Sequence, residues 1–190
     1  MAMRTETEAK FKLDEPQRWR ARLRDAGAVQ LGRVLEINRL FDTPDCRLKS
    51  ADCGLRLREW RSLAEGGEAG ALLTFKGPRA ASGFKSRAEI ETALADAAAG
   101  GQILNRLGVR EVLIFEKIRE TWRLGPCEVV LDELPRLGWY LEIEAHDAES
   151  VSQVRAQLGL AEAPLVGDTY PKLAAATGER SEDGRVCLRF

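Results

Sequence analysis

Short stretches in which charged and apolar side chains alternate recur along most of this chain of 190 residues. Alternation with a period of two is typical of a β-strand that has one apolar and one polar face. Clusters rich in Gly, Pro and Asp separate these stretches, as expected for turns between antiparallel strands. The predicted strands lie within residues 1–14 and at residues 34–42, 55–60, 72–76, 85–92, 112–122, 128–134 and 140–146.

Four further segments predict helices. Residues 14–27 and 147–159 each start at an acidic residue and end at a glycine, as helices commonly do. The Ala-rich segment 93–107 carries apolar residues at helical spacing, although two adjacent glycines inside it weaken the helix. A short last helix is predicted from Asp168 onward. We therefore expect one domain over residues 1–176, followed by a polar tail over residues 177–190.

The first strand carries an unusual concentration of charge. Glu6, Glu8 and Lys10 alternate with apolar or small residues, so all three side chains lie on one face of a strand. Two carboxylates at this spacing repel each other unless a cation lies between them. Taken alone, this pattern also fits a solvated strand edge.

The same arrangement is repeated on later strands. A solvated sheet face explains each strand separately, but full charges of both signs occupy positions where Ser, Thr, Asn or Gln would serve equally well. A closed or strongly curved antiparallel sheet would turn these charges inward and leave its apolar face to packed helices. Buried charges are costly unless they are paired or hold a ligand, so such an interior predicts a binding site. The charged positions are Glu6, Glu8, Lys10, Arg56, Arg58, Lys76, Lys85, Arg87, Glu89, Glu91, Lys117, Arg119, Asp132, Glu142 and Glu144.

The residue types indicate which ligand this interior would take. Arg binds phosphate oxygens through two parallel hydrogen bonds, and Lys contributes a point charge. Carboxylates do not bind phosphate directly, but they hold Mg²⁺ or Mn²⁺, which in turn bind phosphate oxygens. Acidic and basic groups together therefore predict a site for a divalent metal and a polyphosphate.

Composition excludes several other classes of protein. The chain has 29 basic and 30 acidic residues, so no excess positive charge attracts nucleic acid or an anionic membrane. The sequence has neither an apolar run long enough for a transmembrane helix nor an apolar leader. Four cysteines without a C-x-x-C pair, and a single histidine, His146, make a zinc site improbable. We expect a cytoplasmic protein with free thiols, and an exposed or structural role for His146.

The ordered set of motifs resembles the CYTH superfamily, the triphosphate tunnel metalloenzymes, over residues 4 to about 175. The Glu-x-Glu-x-Lys motif alone is weak, whereas the whole set in this order is specific. The matching stretches are Glu6-x-Glu8-x-Lys10, Phe41-Asp42-Thr43-Pro44, Leu55-Arg56-Leu57-Arg58, Leu73-Thr74-Phe75-Lys76-Gly77-Pro78, Arg87-x-Glu89-Ile90-Glu91, Lys117-x-Arg119, Leu131-Asp132-Glu133-Leu134, Leu141-Glu142-Ile143-Glu144 and Tyr170-Pro171-Lys172-Leu173.

This resemblance implies an α+β fold in which an eight-stranded antiparallel β-barrel forms a charged tunnel, with helices packed on the outside. It implies a catalytic centre containing Glu6, Glu8, Lys10, Glu142 and Glu144. Two divalent ions, Mg²⁺ or Mn²⁺, would be held by Glu6, Glu8, Asp132, Glu142 and Glu144. The triphosphate would be bound by Lys10, Arg56, Arg58, Lys76, Arg87, Lys117, Arg119 and Lys172, the last of which would close the tunnel.

Several activities fit this resemblance. The first is metal-dependent hydrolysis of an inorganic or organic triphosphate, and the second is a class IV adenylate cyclase reaction that converts ATP to cyclic AMP and pyrophosphate. A polyphosphate-binding module without catalysis is the third. Cyclisation needs a pocket for the base, for which Trp60, Trp122 and Tyr140 are candidates, but core packing is the stronger interpretation of each.

Some assignments stay open in the sequence. Lys10 orients the glutamates or contacts phosphate, while Glu89 and Glu91 either contact metal or pair with Arg87 or Arg119. The expected partner is a small-molecule triphosphate, without nucleic acid or membrane, and the resemblance is compatible with a homodimer.

Overall fold

The computed structural model describes residues 7–79 and 87–190, and only the backbone of Arg79 and Arg87. Glu6 and Lys85, which were predicted to carry part of the charge, lie outside these residues. The described residues contain ten strands. They are β1 (Thr7–Leu13), β2 (Val29–Asp42), β3 (Gly54–Ser62), β4 (Ala69–Arg79), β5 (Arg87–Leu94), β6 (Arg110–Leu124), β7 (Cys127–Leu134), β8 (Gly138–Ala145), β9 (Glu179–Arg180) and β10 (Val186–Leu188).

Eight of these strands form one continuous antiparallel path in the order β1-β8-β7-β6-β2-β3-β4-β5. Every strand predicted from alternation is present in it, although β2 begins earlier than expected. The long strands β2 and β6 pair from Val29 opposite Arg123 to Asp42 opposite Arg110, and they form the centre of the sheet. The predicted α+β architecture of eight antiparallel strands with helices outside is confirmed.

Five helices accompany the sheet in the described residues. The longest have ten residues, and none is long and apolar enough to cross a membrane. They are α1 (Pro16–Asp25), α2 (Arg47–Ser50), α3 (Ala97–Arg106), α4 (Ala148–Gln157) and α5 (Tyr170–Thr177).

Helices α1 and α4 cover one end of the outer sheet face, where the main hydrophobic core lies. Apolar residues of β1, β6, β7 and β8 alternate toward these helices, among them Phe11, Leu131 and Ile143. Leu23 of α1 and Val151 of α4 complete this cluster, and all five side chains are buried. Because the apolar residues of these strands pack against α1 and α4, the residues that alternate with them face the other side of the sheet.

Helix α3 starts later than its sequence pattern predicted. Asp96 caps it by accepting a hydrogen bond from the backbone N–H of Ala99, so the residues before Asp96 extend β5 instead. The glycines that weakened the prediction lie inside the helix. A Cβ atom on Gly100 would approach Leu94 Cδ1 to 2.7 Å, so glycine permits the close packing of α3 on the sheet.

The C-terminal segment, expected to be a polar tail, is part of the fold. Strands β9 and β10 form a small antiparallel ladder, and β10 pairs in parallel with β6, placing Val186 opposite Leu113. Val186 and Leu188 are buried in a second apolar cluster with Phe115. The sequence did not predict β10, because three apolar residues alternating within a polar stretch are too weak a pattern to identify a strand.

Candidate functional site

One face of the sheet gathers charged side chains from all eight strands of the path. Lys10 lies directly opposite Glu142, and Arg119 lies opposite Asp132. Directly opposed residues project from the same face of a sheet, so these strands share one charged surface. We call this surface the charged face, and it comprises Glu8, Lys10, Glu36, Arg56, Arg58, Lys76, Glu89, Glu91, Lys117, Arg119, Asp132, Glu142 and Glu144.

The centre of the charged face is buried, which separates it from an ordinary solvated sheet surface. Asp132 has no exposed surface, and Lys10, Lys117 and Glu142 are each only 3% exposed. Charges removed from water to this extent are unfavourable unless neighbouring groups or a ligand compensate them. The ion pairs and hydrogen bonds of each charged residue therefore show which charges are balanced by neighbouring side chains.

Asp132 compensates the two basic residues of β6. Its Oδ2 accepts from Lys117 Nζ at 3.1 Å, and its two oxygens accept from Arg119 Nε at 2.8 Å and Nη2 at 2.7 Å. Burial alone would raise the pKa of Asp132, but these cations outweigh it and hold the pKa well below its usual range. Asp132 therefore stays ionised and fixes both cations in place.

Glu36, which the sequence interpretation missed, lies beside this group. Its carboxylate is within 3.5 Å of both Lys117 Nζ and Arg58 Nη1. Burial would raise its pKa, yet Lys117 and Arg58 lower it to about 2. Asn38, also buried and also missed, donates to Glu36 Oε2 at 3.3 Å, while its own Oδ1 has no hydrogen-bond partner within the described part of the chain.

Arg56 is half-buried, and it differs from the other cations of the charged face. Across residues 7–79 and 87–190, no carboxylate with a described side chain lies within ion-pair distance of its guanidinium, and its Nε has no hydrogen-bond partner. Burial, together with the nearby positive charge of Arg58, lowers the pKa of Arg56 to about 10. The guanidinium remains charged at neutral pH, and the carboxylates of Glu36 and Glu89, which lie beyond ion-pair distance, offset its burial only in part.

The β4–β5 end of the charged face is paired internally. Lys76 forms an ion pair with Glu89, and Thr74 Oγ1 donates to Glu91 Oε2 at 2.7 Å. Neither glutamate makes a described contact to Arg119, which was one of their predicted partners. The predicted contribution of the Arg87 side chain lies outside the described residues.

Three of the predicted metal ligands come together at the other end. Glu8 on β1 lies opposite Glu144 on β8, and oxygen atoms of Glu8, Glu142 and Glu144 all lie within 4.8 Å of one another. An all-carboxylate set suits a hard divalent cation such as Mg²⁺ or Mn²⁺. Arg119 also approaches this set, with its Nη2 at 2.8 Å from Glu142 Oε2. The structure does not bring Asp132 into the set, because its oxygens hold Lys117 and Arg119.

An apolar cluster bounds one end of the charged face. Leu113, Phe115, Tyr140 and Tyr170 pack there with β10, and α5 lies over them. Lys172, predicted to close the tunnel, is 72% exposed at its side chain and pairs with Asp168 on the outside at 2.6 Å. Its neighbour Tyr170 occupies the inner position instead.

The three aromatic candidates for a base pocket differ in their burial. Trp122 and Tyr140 are buried in the two apolar clusters, which confirms core packing for both. Trp60 is half-buried, lies on the same face of β3 as Arg58, and packs against Gly70, where a Cβ atom would approach its ring to 2.7 Å. His146 is exposed, and all four cysteines are free.

An antiparallel sheet of eight strands with a buried, mixed-charge face and helices outside agrees with the family that the sequence motifs indicate. The chain belongs to the CYTH domain family, whose model matches residues 4–170. A relative from Methanocaldococcus jannaschii, named as a putative adenylate cyclase, is 30% identical over 139 residues, which cover 73% of this chain and 75% of the relative.

Solved structures with the same fold include a bacterial and a plant protein. A putative adenylate cyclase from Vibrio parahaemolyticus superposes with a TM-score of 0.77 at 19% identity, covering 92% of this chain and 99% of the other. A putative adenylyl cyclase from Hippeastrum, described as revealing a dominant triphosphatase activity, gives a TM-score of 0.68 at 20% identity and covers 92% and 96%.

Proposed function

We propose that this protein is a divalent-metal-dependent triphosphatase that hydrolyses an inorganic or organic triphosphate, such as tripolyphosphate or a nucleoside triphosphate. The observation that carries the proposal is Arg56, a half-buried residue that makes no ion pair with a described carboxylate and whose buried Nε has no hydrogen-bond partner among the described residues. A phosphate oxygen is the acceptor that a guanidinium binds best, through charge-assisted hydrogen bonds.

The remaining cations extend this anion site along the sheet. Arg58 lies beside Arg56 on β3, while Lys117 and Arg119 lie across β2 on β6. Their carboxylate partners, Glu36 and Asp132, hold them in position before substrate arrives. A row of fixed cations reduces the reorganisation needed to bind a chain of phosphates, which favours binding and orientation of the reacting group.

Glu8, Glu142 and Glu144 supply the metal site of this proposal. A divalent ion bound there would neutralise phosphate charge and lower the pKa of a bound water, which is the chemistry hydrolysis needs. Because Arg119 contacts both Asp132 and Glu142, it connects the carboxylate set with the row of cations. Glu6 is retained as a further proposed ligand on its predicted position alone.

The relatives favour this class of substrate without choosing between reactions. The Hippeastrum description supports a triphosphatase. The name of the M. jannaschii relative supports the alternative, a class IV adenylate cyclase. Trp60 is the one aromatic candidate left near the cations that could contact a base. A cytoplasmic location, a homodimer and the absence of nucleic-acid and membrane partners stay predictions.

Product analysis tests the proposal. The protein is offered tripolyphosphate, ATP and thiamine triphosphate separately, with Mg²⁺ and with Mn²⁺, and Glu144→Gln is run in parallel. We expect orthophosphate from tripolyphosphate or ATP and none from the variant. Cyclic AMP with pyrophosphate would establish the cyclase instead, and binding without any product would establish a polyphosphate-binding module.

A further inference from the structure

Lys10 is occupied by contacts that hold helix α5 against the sheet. Its Nζ lies 3.1 Å from Glu142 Oε1, donates to the backbone carbonyl of Asp168 at 3.1 Å, and lies 4.0 Å above the ring of Tyr170. The backbone carbonyl of Lys10 also accepts from the N–H of Val166 at 2.8 Å. These contacts fix the chain that leads into α5, so the position of Tyr170 is fixed with respect to the charged face.

Tyr170 is buried among charges, yet its hydroxyl group has no hydrogen-bond partner of ordinary geometry within residues 7–79 and 87–190. Its ring faces Lys10 and also lies 5.0 Å from Lys117 Nζ. The hydroxyl oxygen is inaccessible to water and makes no hydrogen bond of acceptable geometry to any described residue. A buried hydroxyl without a partner is unfavourable, so a polar group in this position calls for an acceptor.

The neighbouring carboxylates do not fill that need. Asp132 already accepts from Lys117 and Arg119, and Glu142 accepts from Arg119 and pairs with Lys10. Burial, the negative charges of Asp132 and Glu142, and the approach of the hydroxyl to the Asp132 carboxylate raise the pKa of Tyr170 well above its usual value, although that approach lacks the geometry of a full hydrogen bond. The hydroxyl is therefore protonated at any ordinary pH and can donate a hydrogen bond to a further oxygen.

We propose that Tyr170 is a phosphate-binding residue whose hydroxyl donates a hydrogen bond to a non-bridging oxygen of the phosphate group nearest α5. This inference rests on the proposed binding of a triphosphate by the charged face. In this arrangement, the terminal phosphate of the substrate binds a donor on α5. The sequence analysis had predicted Lys172 for that role, and the structure favours Tyr170. Tyr170 and Lys117 then bind the same phosphate group, one through a neutral donor and one through a charge.

Tyr170→Phe tests this inference, with Tyr140→Phe as the matched control. Tyr140 lies in the same apolar cluster, its ring centroid 5.5 Å from that of Tyr170, so both variants remove one hydroxyl from adjacent buried rings. Affinity for inorganic tripolyphosphate is measured by calorimetry in the presence of a metal chelator, so that hydrolysis does not interfere. The thermal unfolding of each ligand-free variant is recorded as well.

We expect Tyr170→Phe to bind tripolyphosphate about 10-fold to 100-fold more weakly, the range of a hydrogen bond to a charged acceptor. Its ligand-free melting temperature should change little, because the hydroxyl makes no hydrogen bond of ordinary geometry to a described residue, and Tyr140→Phe should bind as the wild type does. Wild-type affinity in Tyr170→Phe would overturn this inference alone. A wild-type protein that binds no tripolyphosphate, either with the chelator or with Mg²⁺ in its place, would overturn the proposed function, and this inference with it.

Discussion

Arg119 and Asp132 form a two-bond ion pair across strands β6 and β7, with Nε 2.8 Å from Oδ1 and Nη2 2.7 Å from Oδ2. The two residues lie directly opposite each other, so the sheet register itself sets this geometry. Planar two-bond pairing orients the guanidinium and leaves its Nη1 edge toward Glu144, at 3.8 Å from Oε1. The pair therefore aims Arg119 at the proposed metal site before any ligand binds.

Asp132→Asn should destabilise the ligand-free protein strongly. The change leaves two buried cations, Lys117 and Arg119, short of their main counter-charge. Breaking a buried ion pair in this way costs about 3–5 kcal/mol. Tripolyphosphate should then raise the melting temperature of the variant more than that of the wild type, because the anion replaces the lost carboxylate. A variant with wild-type stability but without metal-dependent activity would instead support the predicted role of Asp132 as a metal ligand.

Arg56→Ala should weaken the binding of tripolyphosphate by at least about tenfold, because a charge-assisted contact from an otherwise unpaired guanidinium is lost. Arg61→Ala is the control, since Arg61 is exposed on the opposite face of the same strand. The two dissociation constants, measured by calorimetry in the same buffer, provide the comparison. Equal losses in both variants would mean that general surface charge, and not the charged face, attracts the anion.

Glu144→Gln should abolish turnover and remove the stabilisation of the protein by Mg²⁺ or Mn²⁺. The loss of one anionic ligand from a three-carboxylate set weakens its affinity for a divalent ion. Thermal unfolding with and without each metal measures the effect, and Glu162→Gln, an exposed residue after α4, serves as the control. Unchanged metal stabilisation in Glu144→Gln would place the ion elsewhere on the charged face.

Local alternation was sufficient to predict the eight strands of the main antiparallel path, and with them most of the charged face. The period of two assigns a residue to one face wherever the opposite residues are apolar, as in β8 with Leu141 and Ile143 against Glu142 and Glu144. The order of the charged motifs then identified the family. This information is local in the sequence, and each strand can be interpreted separately.

The parts that sequence reasoning missed depend on long-range contacts. Glu36 stood on a predicted strand in alternation with apolar residues, but only its pairing with Lys117 and Arg58 makes it part of the site. Whether Tyr170 or Lys172 faces the charged face depends on how α5 packs on the sheet. A helix as short as α5 has too few residues for its sequence to show which side packs. The strand β10 gains its stability from pairing with β6, which no local pattern encodes.

Glu36 should contribute a pH-dependent part of the stability. Its pKa is lowered from 4.5 to about 2 in the folded state, so its contribution is complete above about pH 4.5 and is lost as the pH falls toward 2. A shift of this size corresponds to a free energy of unfolding on the order of 3 kcal/mol. Glu36→Gln should therefore be less stable than the wild type at pH 7, and the two unfolding free energies should converge between pH 4.5 and 2. Parallel curves over that range would contradict the assignment.

Leu188→Ala should destabilise the protein by about 2–5 kcal/mol, the usual cost of truncating a buried leucine. Leu188 is 1% exposed and packs with Phe115 beneath α5, so the C-terminal strand supports the helix that carries Tyr170. Leu165→Ala, at an exposed position, provides the control for the same chemical change. Chemical unfolding of both variants gives the difference directly. If Leu188→Ala unfolds like the wild type, residues 177–190 behave as the tail that their composition predicted, and α5 is held to the sheet without support from β10.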